Sequence, residues 1–385
     1  MVMKYRKWNK IDVETSALGF GAMRLPVLDG DYSKIDEEKA MGMIRHAIDS
    51  GVNYIDTAYP YHGGKGEIFV GKALKDGYRE KVYLTTKLPV GRLKEKDDMA
   101  RIFNEQMDNL DVEYLDFYLL HAVNRKSWEN SKRLGVLDFV KNLKKEGRIR
   151  HIGFSFHDSP EIFKDVADAY EWDLVQLQFN YADTKVQAGF ESFDYAREKG
   201  LNIVIMEPLK GGSLADSLPE ELVGHFAASG YDRSPVEWAF RWLYDFPEVK
   251  IILSGMSTME QVRENLRIFG RAVPNSMSED EKKVMEGAMG IIEKNTAVPC
   301  TDCKYCLPCP EGVRIPMMFK LYNSYTGFSN KEKAIETYRE WREREENRFT
   351  ADVCIKCGVC LEKCPQGIQI PDELEKLDEI LYKKP

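Results

Sequence analysis

Between residue 16 and about residue 268, short apolar runs rich in β-branched residues alternate with longer stretches of helical period. Eight such runs stand out: SALGFG (16–21), NYIDTA (53–58), VYLTTKL (82–88), LDFYLLHA (115–122), RHIGFSF (150–156), LVQLQFN (174–180), NIVIMEP (202–208) and VKIILSG (249–255). Amphipathic segments lie between them, among them 37–50, 97–110, 133–146 and 258–269. Eight strands each followed by a helix predict an α/β fold, a (β/α)8 TIM barrel rather than a doubly wound sheet. A barrel of that kind takes about 250 residues. Of the 385 residues, 1–275 are therefore expected to form the barrel and 276–385 a helical linker and a small second domain.

The smaller part contains all eight cysteines. It opens on a helical stretch at 278–294 with Ser278 as N-cap, and a second helical pattern places Ala334, Ile335, Tyr338 and Trp341 on one face. In a reducing compartment, closely spaced thiols are read as metal-binding or catalytic instead of as disulfides. Cys354, Cys357, Cys360 and Cys364 form the run C-x2-C-x2-C-x3-C-P, the pattern of bacterial ferredoxins, in which three thiolates clasp one 4Fe-4S cube and the fourth serves a neighbouring cube. Cys300, Cys303, Cys306 and Cys309 repeat it one residue shorter, again with a following proline. If ligands cross as in two-cluster ferredoxins, one cube takes Cys300, Cys303, Cys306 and Cys364, and the other takes Cys354, Cys357, Cys360 and Cys309. Paired zinc sites are the competing reading of C-x2-C spacing, but two runs of three thiolates at intervals of three suit cubes better. Whether the clusters move electrons or only staple a domain with little core of its own stays open.

Charge narrows the partners. The formal net charge is -8, with Lys and Arg scattered, which gives no footprint for nucleic acid or anionic lipid. There is no run of about 18 apolar residues and no signal-like start, so a cytoplasmic, membrane-free protein is expected.

Ionisable side chains fall at the C-terminal ends of three successive strand candidates: Asp56, Lys87 and His121, with Tyr61 five residues past the aspartate. Barrel active sites are built on that face. Together, GVNYIDTAYPY, VYLTTKLP, LDFYLLH and STMEQVRENL resemble the aldo-keto reductase family, over about residues 4–270, and the tail resembles the branch of that family with a C-terminal ferredoxin-like domain. The resemblance implies a catalytic tetrad of Asp56, Tyr61, Lys87 and His121 working with a nicotinamide cofactor on a small carbonyl or alcohol substrate. In that chemistry the dinucleotide supplies hydride and the protein supplies the proton. A free phenol with pKa about 10 is a poor acid near neutrality, and a neighbouring ammonium favours its ionised form. Tyr59 and His62 flank the acid as rival donors, and spacing from Asp56 favours Tyr61.

The resemblance also implies cofactor contacts at Ser155 and Gln176 for the carboxamide, at Met206 where an aromatic commonly covers the nicotinamide, and at Pro208, Leu209, Gly211 and Gly212 near the pyrophosphate. Glu264 and Asn265 match the adenine end, where Gln261, also expected to contact the cofactor, replaces a frequent Arg. Phe156 replaces a usual Asn, and the Lys often used for the 2'-phosphate is missing from LSGMST, with Arg263 or Lys210 as substitutes. NADP(H) is expected over NAD. Hydride moves two electrons and a cube normally one, so exchange between the halves requires a flavin or another converter that the sequence does not reveal. A redox partner protein is the other route for the clusters' electrons. Two further functions compete with the enzyme: a regulatory barrel that senses its nicotinamide, and a ferredoxin-like carrier with a vestigial barrel.

Overall fold

The computed structural model describes residues 2–185, 187–216, 218–300, 304–327, 331–344, 348–364 and 366–382. Cys303 lies outside the described residues. The strands are β1 Tyr5–Lys7, β2 Glu14–Ser16, β3 Leu18–Gly21, β4 Tyr54–Asp56, β5 Tyr83–Leu88, β6 Leu115–Val123, β7 Ile149–Phe156, β8 Leu174–Gln178, β9 Asn202–Met206 and β10 Val249–Ser254. The helices that follow them are α1 Glu37–Asp49, α2 Gly66–Ala73, α3 Asp97–Leu110, α4 Arg125–Leu134, α5 Val136–Lys145, α6 Pro160–Asp168, α7 Gly189–Glu198, α8 Ser213–Asp216, α9 Glu220–Ala228, α10 Pro235–Tyr244 and α11 Met259–Phe269. Beyond them come α12 Glu279–Asn295, α13 Ile315–Gly327, α14 Lys331–Arg342 and α15 Ile370–Leu381.

Two compact units emerge. The first comprises Met1–Phe179, Ala188–Pro208 and Phe240–Ser276; the second comprises Asn180–Gln187, Leu209–Ala239 and Met277–Pro385. In the first, β3 to β10 close into a parallel barrel in the order β10-β3-β4-β5-β6-β7-β8-β9. All eight expected strands are present, and β5, β8 and β10 are buried along nearly their whole length, as strands covered on both faces must be.

A feature unforeseen in the sequence is the antiparallel hairpin β1–β2. Trp8 between its strands packs on Phe117 at 4.9 Å between ring centroids, within a cluster that includes Tyr54, Leu174, Val204 and Ile251 from the early parts of four barrel strands. The hairpin therefore plugs the N-terminal end of the barrel with apolar side chains, which leaves the opposite end to carry chemistry.

One helix expectation needs correction. The stretch 133–146 is not a single helix: Gly135, at φ 75° and ψ 36°, ends α4 in the left-handed region and starts α5. Glycine reaches that conformation without a Cβ penalty, and its N–H donates to Ser131 and Lys132 carbonyls, closing the α4 terminus. In the second unit, Ser278 caps α12 as expected, and Glu281 returns a bond to the Ser278 N–H to complete a capping box.

Candidate active site and cysteine cavities

Parallel register brings the expected tetrad together. Asp56 ends β4 opposite Thr85 of β5, and Lys87, two residues further along β5, is opposite Leu119 of β6. His121 lies two residues beyond Leu119, where the β6–β7 register slips between Leu120 and Val123. Ala122 in that slip has φ 52°, an uncommon conformation for a residue with a Cβ, and irregularities of this kind re-aim neighbouring side chains.

Lys87 is 1% exposed, and its Nζ donates to Asp56 Oδ1 at 2.6 Å and to the Thr57 carbonyl at 2.8 Å. Burial pushes Lys87 down and Asp56 up, and the attraction between them opposes both shifts. The same Nζ lies 5.3 Å from the Tyr61 ring centroid, and the Tyr61 ring meets His121 edge-on at 6.0 Å. His121 is half-buried by surface area yet enclosed by protein atoms. That enclosure, with Lys87, His157 and Arg92 nearby, holds its imidazole well below the usual range and hence neutral.

The rival donors are engaged elsewhere. Tyr59 donates to Glu105 at 2.6 Å. His62 is fully buried in a left-handed conformation, its two ring nitrogens 2.8 Å from the Tyr32 carbonyl and 3.1 Å from the Ala22 carbonyl, its ring stacked on Tyr32.

Beneath Lys87 runs a polar network that sequence reasoning missed. Gln106 Nε2 donates to the Lys87 carbonyl at 3.0 Å and to Glu67 Oε1 at 2.7 Å, Thr86 donates to the same Glu67 oxygen at 2.5 Å, and Tyr118 donates to Gln106 Oε1 at 2.7 Å. These groups are all buried, and burial raises Glu67. The signal was present: Gln106 interrupts the apolar face of α3 formed by Met99, Ile102, Phe103, Met107 and Leu110.

The expected carboxamide contacts are neighbours. Ser155 is paired with Gln176 across β7 and β8, and Gln178 with Met206 across β8 and β9. Ser155 Oγ accepts from the Ala122 N–H at 2.8 Å, which leaves its own proton to donate. Gln176 Nε2 reaches Met206 Sδ at 3.7 Å, while its buried Oε1 has no hydrogen-bond partner among the described residues. Phe156 packs edge-on to Phe163 at 5.2 Å, an apolar role where an amide was usual.

At the adenine end, Asn265 is buried and donates to Ser254 Oγ at 3.0 Å, Gln261 Oε1 accepts from the Ser257 N–H at 2.8 Å, and Glu264 is half-buried on the same helix. Pro208 ends a segment of the first unit, whereas Leu209, Gly211 and Gly212 belong to the second. There Gly211 and Gly212 take φ of 67° and 99°. Lys210 is bonded to buried Asp183 at 2.6 Å, which occupies the ammonium expected to substitute at a 2'-phosphate.

In the second unit, Cys309, Cys354, Cys357, Cys360 and Cys306 line one cavity, and Cys300, Cys306 and Cys364 line another. Burial, and then the sulfurs of Cys354, Cys357 and Cys309, push the Cys360 thiol up. Among the described residues, no three His, Cys, Asp or Glu side chains converge where a single ion would be held. Also among the described residues, no helix is long and apolar enough to cross a membrane.

A closed parallel barrel that gathers an ion pair, a phenol and an imidazole at the C-terminal ends of its strands has the architecture of a (β/α)8-barrel enzyme. The chain belongs to the aldo/keto reductase family, whose pattern matches residues 17–284, and is an oxidoreductase; the pattern of the 4Fe-4S dicluster domain matches residues 299–368. It is 25% identical to the NADH-specific methylglyoxal reductase of Escherichia coli, over 66% of this chain and 90% of that protein. Identity to the L-galactose dehydrogenase of Arabidopsis thaliana is 27%, over 69% of this chain and 87% of the relative. Among solved structures, the holo form of aldo-keto reductase AKR11C1 from Bacillus halodurans superposes with a TM-score of 0.63 at 27% identity, covering 74% of this chain and 96% of that one.

Proposed function

We propose that the barrel catalyses nicotinamide-dependent reduction of an aldehyde or ketone, and the reverse oxidation of an alcohol, with Tyr61 as the proton donor. The observation that carries this reading is the buried Lys87, bonded to Asp56 at 2.6 Å and set 5.3 Å from the Tyr61 ring. An ammonium held there favours the ionised phenol, so Tyr61 gives up its proton more readily as negative charge develops on the substrate oxygen. Neutral His121 offers that oxygen an N–H without competing as a base. The Asp56 carboxylate keeps Lys87 charged against the cost of burial.

When bound, the nicotinamide supplies hydride. The chain fits it at one point of unmet need: the orphaned Gln176 Oε1 suits a carboxamide N–H, with the Ser155 hydroxyl beside it. Gly211 and Gly212, at positive φ in the second unit, carry no β-carbon that would keep a pyrophosphate away from the backbone. With Lys210 engaged by Asp183, we assign NADP(H) with Arg263, exposed on α11, as the remaining cation for the 2'-phosphate.

For the second unit we propose two 4Fe-4S cubes, one held by Cys309, Cys354, Cys357 and Cys360, the other by Cys300, Cys303, Cys306 and Cys364. Two separate cavities, each lined by cysteines of both runs, suit a pair of clusters whose ligands cross between the runs.

Replacing Tyr61 with Phe tests the enzymatic reading. Carbonyl reduction should fall roughly 100 to 10,000-fold while NADPH binding, read by protein fluorescence, is kept. A variant that retains wild-type turnover removes Tyr61 from the chemistry.

A further inference from the structure

We propose that Gln106 is a positioning residue of the candidate active site: its amide holds the Lys87 end of β5 in place and thereby sets the ammonium against Tyr61. This rests on the carbonyl-reduction reading and adds to it a residue that acts only through the Lys87 backbone. Hydrogen bonding along β5 shows why the strand needs a brace there. The Tyr83 N–H donates to the Asn53 carbonyl at 2.8 Å and the Thr57 N–H to the Thr85 carbonyl at 2.9 Å, so the odd-numbered residues of β5 turn their peptide groups toward β4. Strand β4 stops at Asp56, opposite Thr85. The next carbonyl on that edge belongs to Lys87, and among the described residues no backbone N–H reaches it. Gln106 Nε2 bonds it instead, at 3.0 Å. A side chain of α3 thus stands in for the missing strand partner at the residue that carries the ammonium.

The amide can sit only one way. Its Nε2 has one proton for the Lys87 carbonyl and one for Glu67 Oε1 at 2.7 Å, with Thr86 Oγ1 at 3.2 Å beside them, and its Oε1 accepts from the Tyr118 hydroxyl at 2.7 Å. Thr86 donates to the same Glu67 oxygen at 2.5 Å, which ties the carboxyl to β5 as well. Gln106, Glu67, Thr86 and Tyr118 have no exposed surface, so bulk water would not replace a lost partner. The network also meets the elements that carry the other groups to be aimed. Glu67 is on α2, six residues after Tyr61, and Tyr118 is on β6, three residues before His121.

Gln106→Met keeps the length of the side chain and removes its bonds. With NADPH and 4-nitrobenzaldehyde, the cluster-loaded variant should lose about tenfold to a hundredfold in kcat with little change in KM or in NADPH binding, because aim is lost and affinity is not. The alkaline limb of its rate profile should also move to higher pH: with the ammonium displaced, the ionised phenol is less favoured and Tyr61 keeps its proton longer. Trp172→Phe is the control. It removes a buried indole bonded to the Val166 carbonyl at 2.8 Å, just before β8 at the other end of the barrel, and should lower stability while leaving the limb in place. A second readout needs no turnover. Gln106 meets the Lys87 backbone and Asp56 its ammonium, so Asp56→Asn should cost less unfolding stability in Gln106→Met than in the wild type. Should Gln106→Met fail to fold, Gln106→Met with Glu67→Met serves as the background, since it also removes the buried carboxyl that has lost a donor. Additive stability losses, or an alkaline limb that stays at the wild-type position, overturn the proposal. A sub-additive cycle in a protein that turns over no aldehyde or ketone with either nicotinamide upholds the brace on Lys87 and sinks the carbonyl-reduction reading instead.

Discussion

Replacing Asp56 with Asn removes one charge from a site that has almost no solvent. Side-chain exposure of Lys87 and Asp56 is 1% and 4%, and Asn keeps the shape and the Oδ1 acceptor, so the perturbation is electrostatic. Leaving a buried ammonium without its counter-charge costs roughly 3–5 kcal/mol. Lysine has an escape, because it can shed its proton. From an unfolded pKa of about 10.4, doing so at pH 7 costs roughly 4.6 kcal/mol, which caps the loss. Burial already pulls Lys87 down in the wild type, with Asp56 working against it, and the variant loses that opposition. The folded pKa then falls further below the unfolded one, so between the two values the unfolded chain binds the extra proton. Destabilisation is full at the lower end of that window and fades as pH rises toward the unfolded lysine value, by about 1.4 kcal/mol per pH unit. The expected loss is therefore roughly 3–4.5 kcal/mol at pH 7 and about 2 kcal/mol at pH 9. Anaerobic guanidinium unfolding followed by far-UV circular dichroism, run on wild type and Asp56→Asn at both pH values, measures it. A loss below about 1 kcal/mol at pH 7, or one that is the same at pH 9, would refute the argument that Asp56 holds a charged Lys87. The double variant Asp56→Asn with Lys87→Met should recover most of the stability and none of the carbonyl reduction.

Two further outcomes follow from contacts already described. Cys309→Ser should lower iron from roughly eight to about four per chain, and adding Cys354→Ser should remove no more, because both cysteines serve one cube; near-complete loss in the double variant, read by iron analysis and electron paramagnetic resonance, would mean that they serve different ones. In α2, a β-carbon added at Gly71 would lie 2.6 Å from the Leu110 carbonyl oxygen and 2.8 Å from that of Asn109, both backbone, so Gly71→Ala should cost about 1–3 kcal/mol in thermal unfolding, while Gly42→Ala, which meets nothing, should be neutral to mildly stabilising.

The barrel strands were legible because each must be buried on two faces, and that demand writes itself into contiguous apolar runs such as 82–88 and 174–180. Asp56, Lys87 and His121 were legible because a strand end is a fixed place on a barrel, so ionisable residues there stand out against the apolar run before them. What stayed hidden depends on pairings distant in sequence. The hairpin β1–β2 has strands of three residues, too short for a periodic signal, and its value comes from Trp8 meeting Phe117 more than a hundred residues away. Only spacing from Asp56 set Tyr61 apart from Tyr59 and His62 in the sequence; that Glu105 engages Tyr59 and two backbone carbonyls flank the His62 ring depends on contacts distant in the chain. The break at Gly135 was masked by an apolar periodicity that continues across it, although glycine is the residue that a left-handed helix end favours.

Backbone conformation carries a last piece of information that the side-chain pattern lacked. His62, Ala122 and Glu207 all adopt positive φ, which costs a non-glycine residue on the order of 1–3 kcal/mol when the surroundings must impose it. Each follows a residue assigned to the site: His62 follows Tyr61, Ala122 follows His121, and Glu207 follows Met206. Such strain persists only where neighbouring contacts over-determine it, and those contacts are present. Two carbonyls hold the His62 ring, the Ala122 N–H is bonded to Ser155 Oγ, and Glu207 is paired with Arg24. The bond from Ala122 to Ser155 also couples the strand that carries His121 to the one that carries the expected carboxamide contact. Three of the positive-φ residues thus lie next to groups that must be aimed and are fixed by contacts to other elements, whereas others, such as Asp111 at the left-handed end of α3, only terminate helices.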